Sequence, residues 1–401
     1  MKKLAFVIPW FSAVISGGAE SALRDLTLHL HDDGVALEIL TTCVQNFASD
    51  WSVNYFYPGE ETIRGITVRR FWADGRAPRA FGDLNAKLMA GTRLEHEEET
   101  VYLNEMVNSD DLYAYIRRHR DEYGLFVFIP YMFGPTYFGS AAAGDKAVLI
   151  PCFHDEPYAH MRCFAQRFAK VRGMAFLSQP ESEFAHSAYD LGAVKTRVLG
   201  LGIDEIPGDA VRFRRRHNLH APFVLYAGRK EEGKKVGLLL DHFARYKAEH
   251  PGPLKLVLIG GGSIPIPVEI ADEVLDLGFV DKQDKYDAYA AAAVFCQPSW
   301  FESFSIVIME SWLAGRPVLV SEQCAVTTSF ARQSNGGLYF SDYATFAGAL
   351  GRLLADPDLA DAMGQNGRDY VRQHFVWPTV TAKYRAFFAE LAEPDETAGN
   401  K

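Results

Sequence analysis

Two carboxylates eight positions apart, Glu302 and Glu310, lie in the run Pro298-Ser299-Trp300-Phe301-Glu302-Ser303-Phe304-Ser305-Ile306-Val307-Ile308-Met309-Glu310. The first falls in a turn after a short apolar strand, the second inside the helix that the turn begins. Ser303 and Ser305 are small, so backbone N–H groups around Phe304, Ser305 and Ile306 stand open at the helix N-terminus, which suits an anion. A diphosphate resting there would leave Glu302 for sugar hydroxyls and Glu310 for ribose hydroxyls, because carboxylates accept hydrogen bonds from diols. A plain strand–turn–helix with two surface glutamates would carry the same letters, so the pair needs partners to mean anything.

The partners are cations. Gly228-Arg229-Lys230-Glu231-Glu232-Gly233-Lys234-Lys235 follows another apolar run, where a strand of an open sheet delivers its ligands. Arg229 with Lys234 would clamp a pyrophosphate and neutralise charge on a leaving group. Lys235 competes with Lys234 for that role, and a solvated charged loop is the plainer alternative. Gly17-Gly18 open the first helix, and paired glycines let phosphate approach backbone donors. A simple β–α turn would use them equally well. His154, in Cys152-Phe153-His154-Asp155-Glu156-Pro157 just past a strand end, would contact a transferred sugar or orient an acceptor hydroxyl. Other chemistries find no support: there is no GxGxxG, GxSxG, HExxH or P-loop. Asp356-Pro357-Asp358 reads as a helix boundary rather than a metal motif, with Pro357 in the first helical turn.

The elements that must position these residues alternate. Residues 4–9 read as a buried parallel strand, Ser16-Gly17-Gly18-Ala19-Glu20 open a helix with Ala22, Leu23, Leu26 and Leu30 on one face, and residues 35–42 form the next strand. The stretch 45–68 is aromatic and polar without a period, an insertion near the sheet edge. Residues 66–71 read as a strand and residues 76–118 as mostly helical, with Arg76, Arg79, Lys87 and Arg93 along the start. Strands follow at 125–130, 147–151, 174–177 and 197–201. A second alternation starts at 222–228 and continues through helix 237–249, strands 254–259 and 275–280, helix 282–292, strand 294–297, helix 306–314 and strand 317–321. The fold class expected is α/β, with two Rossmann-like doubly wound domains facing a central cleft. The boundaries expected are 1–203, 204–378 and a terminal helix and tail 379–401, the helix packing back on the first domain.

Bulk composition narrows the partners. The chain has 401 residues, enough for two such domains, and a formal net charge of −10 without a basic tract. Nucleic acid is therefore not expected as a partner. Five scattered cysteines with no CxxC pair point to neither zinc nor disulfides and to a reducing, cytoplasmic setting. No apolar stretch reaches membrane-spanning length. The basic residues from Arg76 to Arg93, with Arg162, Arg167, Lys170 and Arg172, would allow peripheral contact with the inner membrane face, although a solvated helix face explains them too.

These motifs together resemble glycosyltransferase family 4, whose members are retaining enzymes with the GT-B fold. The resemblance rests on Tyr226-Ala227-Gly228-Arg229 with Lys234, on Gly278-Phe279-Val280, on the Pro298 to Glu310 run, on Ala314-Gly315-Arg316-Pro317-Val318, on Gly17-Gly18-Ala19-Glu20 and on Gly202-Ile203-Asp204. It covers nearly the whole chain, and the eight-residue glutamate pair is its most specific mark. It implies that Arg229 and Lys234 hold the donor diphosphate and that Glu310 holds the ribose. Glu302 would contact the donor sugar beside the N–H groups of Phe304 and Ser305. Gly18 would approach the phosphate, His154 would lie near the anomeric carbon, and backbone at Phe279 and Val280 would meet the base. No metal cofactor is implied. The donor would be a UDP- or GDP-linked sugar, and the acceptor a glycan or lipid-linked glycan of surface polysaccharide or glycolipid synthesis. An epimerase of the same fold and a non-catalytic partner subunit are the competing readings. Two positions depart from the family: Lys234-Lys235 stands where Lys-Gly is common, and Ser303-Phe304-Ser305 where Gly-Phe-Gly is common.

Overall fold

The computed structural model describes residues 2–12 and 17–393. Ser16, the first residue of the expected helix opening, and the tail 394–401 lie outside the described residues. The chain forms two compact units, one of residues up to Gly202 together with those from Val380 onward, the other Ile203–Thr379.

The first unit carries an eight-stranded sheet built from β1 (Lys3–Val7), β2 (Leu37–Thr42), β3 (Gly59–Ile63), β4 (Ile66–Phe71), β5 (Tyr123–Phe128), β6 (Ala147–Leu149), β7 (Gly173–Phe176) and β8 (Lys195–Val198). Their order is β3-β4-β2-β1-β5-β6-β7-β8. Every pairing is parallel except β3 with β4. The central strands are short continuous apolar runs because helices cover both faces and no side of the strand meets water. Helix Gly18–Asp32 follows β1 and buries Ala22, Leu23, Leu26 and Leu30, the face its spacing predicts. The aperiodic stretch after β2 ends in a hairpin: Arg64 and Gly65 both take positive φ, as a two-residue turn between antiparallel strands requires. β3 is an exposed edge, which is why no buried-face pattern marked it. The region expected as one helical stretch is divided into helices Pro78–Met89, His96–Asn104 and Asp110–His119. The final helix, Trp377–Ala392, buries Tyr384, Phe388 and Leu391. Phe388 meets Phe6 edge-on at 6.2 Å and Tyr384 Oη donates to Gly200 O at 3.1 Å.

The second unit has six parallel strands: β9 (Phe223–Ala227), β10 (Lys255–Ile259), β11 (Val274–Asp276), β12 (Val294–Gln297), β13 (Val318–Ser321) and β14 (Gly337–Phe340). The order β11-β10-β9-β12-β13-β14 winds outward in both directions from β9 and β12. The connections on either side of that pair leave in opposite directions, opening a crevice at the strands' carboxyl ends where ligands of such sheets bind. The expected strand 275–280 is shorter than read. Gly278 takes φ +62 and its N–H donates to Asp276 Oδ1 at 3.0 Å, so the chain turns and leaves Phe279 and Val280 in a loop. Pro357 does stand in the first turn of helix Pro357–His374, and the Asp356 carboxylate accepts from Leu359 N at 3.1 Å.

Candidate active site

Loops leaving β9 and β12 meet at the carboxyl edge of the second sheet. Lys234 Nζ donates to Glu302 Oε1 at 2.7 Å, and Gln297 Nε2 donates to the same oxygen at 2.7 Å. Lys234 follows β9, whereas Gln297 is the last residue of β12, so the fold joins the two loops through one carboxylate. The other three cations of the β9 loop do different things. Lys230 is buried and pairs with Asp276 Oδ1 at 2.9 Å while donating to Gly260 O; it ties the loop to its neighbours. Arg229 lies half-exposed beside Glu231 at 3.2 Å. Lys235 takes a left-handed backbone, φ +52 and ψ +35, and places its ammonium over the Trp300 ring at 4.4 Å. The choice between Lys234 and Lys235 thus resolves into two geometries, with Lys234 on the candidate sugar-binding carboxylate and Lys235 on an aromatic face. Gly260 is required here, since a Cβ on it would fall 2.0 Å from Gly228 O.

Glu310 lies one helical stretch below Glu302, in helix Ile306–Leu313, and is buried. Its Oε1 accepts from Lys285 Nζ at 2.6 Å and Tyr286 Oη at 2.9 Å, and its Oε2 accepts from Tyr289 Oη at 3.0 Å. All three donors sit on helix Lys282–Ala291. A carboxylate offers about four acceptor positions, so one remains for a ligand hydroxyl. Burial and the neighbouring Glu310 charge push the Tyr289 phenol well up, keeping it a neutral donor. The sequence reading missed Lys285, Tyr286, Tyr289 and Gln297. Their only signal was Tyr286 and Tyr289 three apart, on one helix face.

The N-terminus of helix Ile306–Leu313 is shaped by Ser305, which takes φ +67 and ψ +71 and makes no side-chain cap bond. Phe304 is buried, edge-on to Phe330 at 5.4 Å and Phe375 at 5.1 Å; it anchors the turn while its neighbours stay near the crevice. Of the three residues that stand where the family commonly has glycine, Lys235 and Ser305 occupy left-handed backbone that glycine adopts without strain, and Ser303 does not. Phe279 is 83% exposed on the loop after β11, with Val280 half-buried beside it.

The remaining candidates belong to the first unit. Gly17 precedes helix Gly18–Asp32, and a Cβ on Gly17 would collide with the Glu20 carboxylate. That carboxylate accepts from Trp10 Nε1, so a protein anion already lies against Gly17, whereas the space around Gly18 is open. His154 follows β6, and its Nδ1 lies 3.3 Å from Glu156 Oε1, which also accepts from Tyr131 Oη at 2.9 Å. Beneath it the buried Glu181 carboxylate accepts from Phe153 N at 2.7 Å and from Leu177 N at 2.5 Å. Burial pushes the Glu181 carboxyl up to about 7 against the opposing pull of these N–H donors and His154. Among the basic residues considered for membrane contact, Lys87 is paired with Glu98 at 2.7 Å, and Arg172 donates to the backbone oxygens of Leu391 and Glu393. Among the described residues no helix is long and apolar enough to cross a membrane.

The family described as Glycosyl transferases group 1 matches residues 221–356, the segment holding every second-unit candidate from Arg229 to Glu310. A D-inositol 3-phosphate glycosyltransferase of Acidothermus cellulolyticus is 32% identical over 187 residues, which is 41% of this chain and 41% of that protein. A protein of the same name from Kribbella flavida is 25% identical over 94% of this chain and 92% of its own. Among solved structures, Anabaena HepE in complex with UDP-glucose superposes with a TM-score of 0.69 at 16% identity, covering 97% of this chain and all of that one. Residues 221–356 match the group 1 glycosyltransferases, the chain is similar along most of its length to glycosyltransferases of family 4, and it has the GT-B fold.

Proposed function

We propose that the protein is a retaining glycosyltransferase that moves a hexose from a nucleoside diphosphate to a hydroxyl acceptor. The observation that carries this reading is the Lys234–Glu302 contact of 2.7 Å at the crevice between β9 and β12. It puts a cation and a diol-binding carboxylate side by side at an open helix N-terminus. Arg229 and Lys234 would hold the diphosphate and offset the charge that develops as it leaves. Glu302 takes the sugar hydroxyls. Glu310, already fixed by Lys285, Tyr286 and Tyr289, offers its remaining acceptor position to the ribose. Glycosyl transfer passes through an oxocarbenium-like state, so a clamp preorganised on the departing diphosphate supplies much of the acceleration. In the retaining course the acceptor attacks from the face the diphosphate leaves, and the leaving phosphate takes the acceptor proton. Cations and N–H groups do the work of charge neutralisation, so the reaction runs without a metal.

The first unit takes the acceptor, with His154 orienting its hydroxyl. A relative named for inositol 3-phosphate makes a phosphorylated polyol a second acceptor class to try beside glycans and lipid-linked glycans. The test is to incubate the protein with UDP- and GDP-hexoses and an acceptor panel, then read the product's anomeric configuration by NMR. Transfer with retained configuration is expected. Interconversion of donor sugars without any acceptor would assign an epimerase instead.

A further inference from the structure

Two buried polar atoms have no hydrogen-bond partner among the described residues: Oε1 of Gln297, whose amide touches Glu302, and Oγ of Ser305, in the same turn as Glu302. Both residues are more than nine-tenths buried, at 2% and 6% exposure. Gln297 ends a strand that is otherwise Val-Phe-Cys and fully buried, an expensive place for an amide. Its Nε2 is spent on Glu302 Oε1 at 2.7 Å, and its carbonyl oxygen is spent on nothing. Ser305 holds φ +67, where glycine would be free of strain, and its hydroxyl does not cap the helix it precedes. Each residue thus combines an unfavourable feature with no compensation inside the protein. Unsatisfied and strained groups of this kind gather where a ligand completes the bonding.

We propose that Gln297 and Ser305 read the donor: the Gln297 carbonyl accepts from a hydroxyl of the transferred sugar, and the Ser305 hydroxyl donates to a diphosphate oxygen. This rests on the donor site proposed above and adds its selectivity. Beside one another lie two acceptors, the Gln297 carbonyl and the Glu302 carboxylate, and one cation, Lys234, which Glu302 already engages. A neutral hexose presenting adjacent hydroxyls satisfies both acceptors. A uronic acid would bring a second carboxylate against them without a free cation in this trio to meet it. The donor is therefore a neutral, hydroxylated hexose, and uronate donors are excluded.

The test is calorimetric titration of wild type, Ser305→Gly and Gln297→Met with UDP, UDP-glucose and UDP-glucuronate, and with GDP, GDP-mannose and GDP-mannuronate. Wild type is expected to prefer the hexose nucleotide over the uronate by at least about tenfold, roughly the worth of one hydrogen bond to a charged group. Ser305→Gly should weaken the bare diphosphate about tenfold while raising the melting temperature, since the strained backbone is relieved. A purely structural serine would move stability without touching affinity. Gln297→Met should keep diphosphate affinity within about twofold, weaken the hexose nucleotide about tenfold and narrow the gap to the uronate. Equal binding of hexose and uronate nucleotides by wild type, or diphosphate affinity unchanged in Ser305→Gly, overturns the inference while leaving the donor site standing. Wild type that binds no diphosphate overturns both.

Discussion

The two sheets share a winding order and differ in what they carry at their carboxyl edges. In the second unit the loop after β9, the end of β11, the loop after β12 and the helices that follow β11 and β12 bring charges into pairs: Lys230 with Asp276, Lys234 with Glu302, and Lys285 with Glu310. In the first unit the loops after β1, β2 and β5 bring aromatics together. Trp10 stacks on Trp51 at 5.6 Å and meets Phe133 edge-on at 4.8 Å, and Arg76 lies over Trp51 at 5.2 Å. A fold supplies the crevice but not the chemistry, which its loops decide. On the function proposed above, the charged edge takes the nucleoside diphosphate sugar and the aromatic edge the ring of an acceptor.

Each edge can be perturbed alone. The largest effect is expected from Lys234→Ala, which removes a preorganised cation from the leaving group and should cost about 10²–10³ in kcat, read from initial rates of diphosphate release. A loss of less than about tenfold would move the catalytic role away from the β9 loop. Trp10→Ala acts on the opposite edge. Trp10 is buried and its indole N–H holds Glu20, so the change should cost about 3–5 kcal/mol in urea unfolding. Nucleotide affinity of the folded protein should be unaffected, and a parallel loss of affinity would show that the edges are not separate in function.

Glu181→Gln probes the first unit through pH. The Glu181 carboxyl lies at about 7 in the folded protein, raised from an ordinary 4.5, so the folded state holds this proton more tightly than the unfolded chain. Its contribution is therefore full below about pH 4.5 and is lost as pH rises through about 7. Relative to the glutamine variant, wild type should lose up to about 3 kcal/mol across that window, measured by chemical unfolding at several pH values. A flat difference would contradict the buried placement. The smallest expected effect is Lys235→Gly, which relieves a left-handed backbone and should add about 1 kcal/mol or less. Its loss of nucleotide affinity should be smaller than that of Lys234→Ala; the reverse order would exchange the two lysines' roles.

Much of this was legible in the sequence where local chemistry decides the structure. Short apolar runs give buried parallel strands because both faces are covered, and Glu302 and Glu310 stand where a strand–turn–helix reading puts them. Legibility ended where tertiary contact decides. Lys230 and Lys234 read alike in a charged loop, yet one is buried on Asp276 and the other pairs with Glu302. The donors to Glu310 come from the helix before β12, 21 to 25 residues earlier in the chain, and the spacing of Tyr286 and Tyr289 marks a shared face without saying what it meets. Gln297 reads as the end of a strand until its neighbour in space is known. The hairpin β3–β4 was hidden because β3 is an exposed edge with no buried face to imprint alternation, and strand β11 was overread because Gly278 turns the chain in mid-run.

The crevice between β9 and β12 is expected to bind a nucleoside diphosphate. The most direct test is thermal stabilisation of wild type and Glu310→Ala by UDP, GDP, ADP and their sugars. One nucleotide at a hundredfold its Kd should add about 2.7 kcal/mol to wild type and little to the variant. No stabilisation of folded wild type by any nucleotide, or undiminished stabilisation of Glu310→Ala, would contradict the claim.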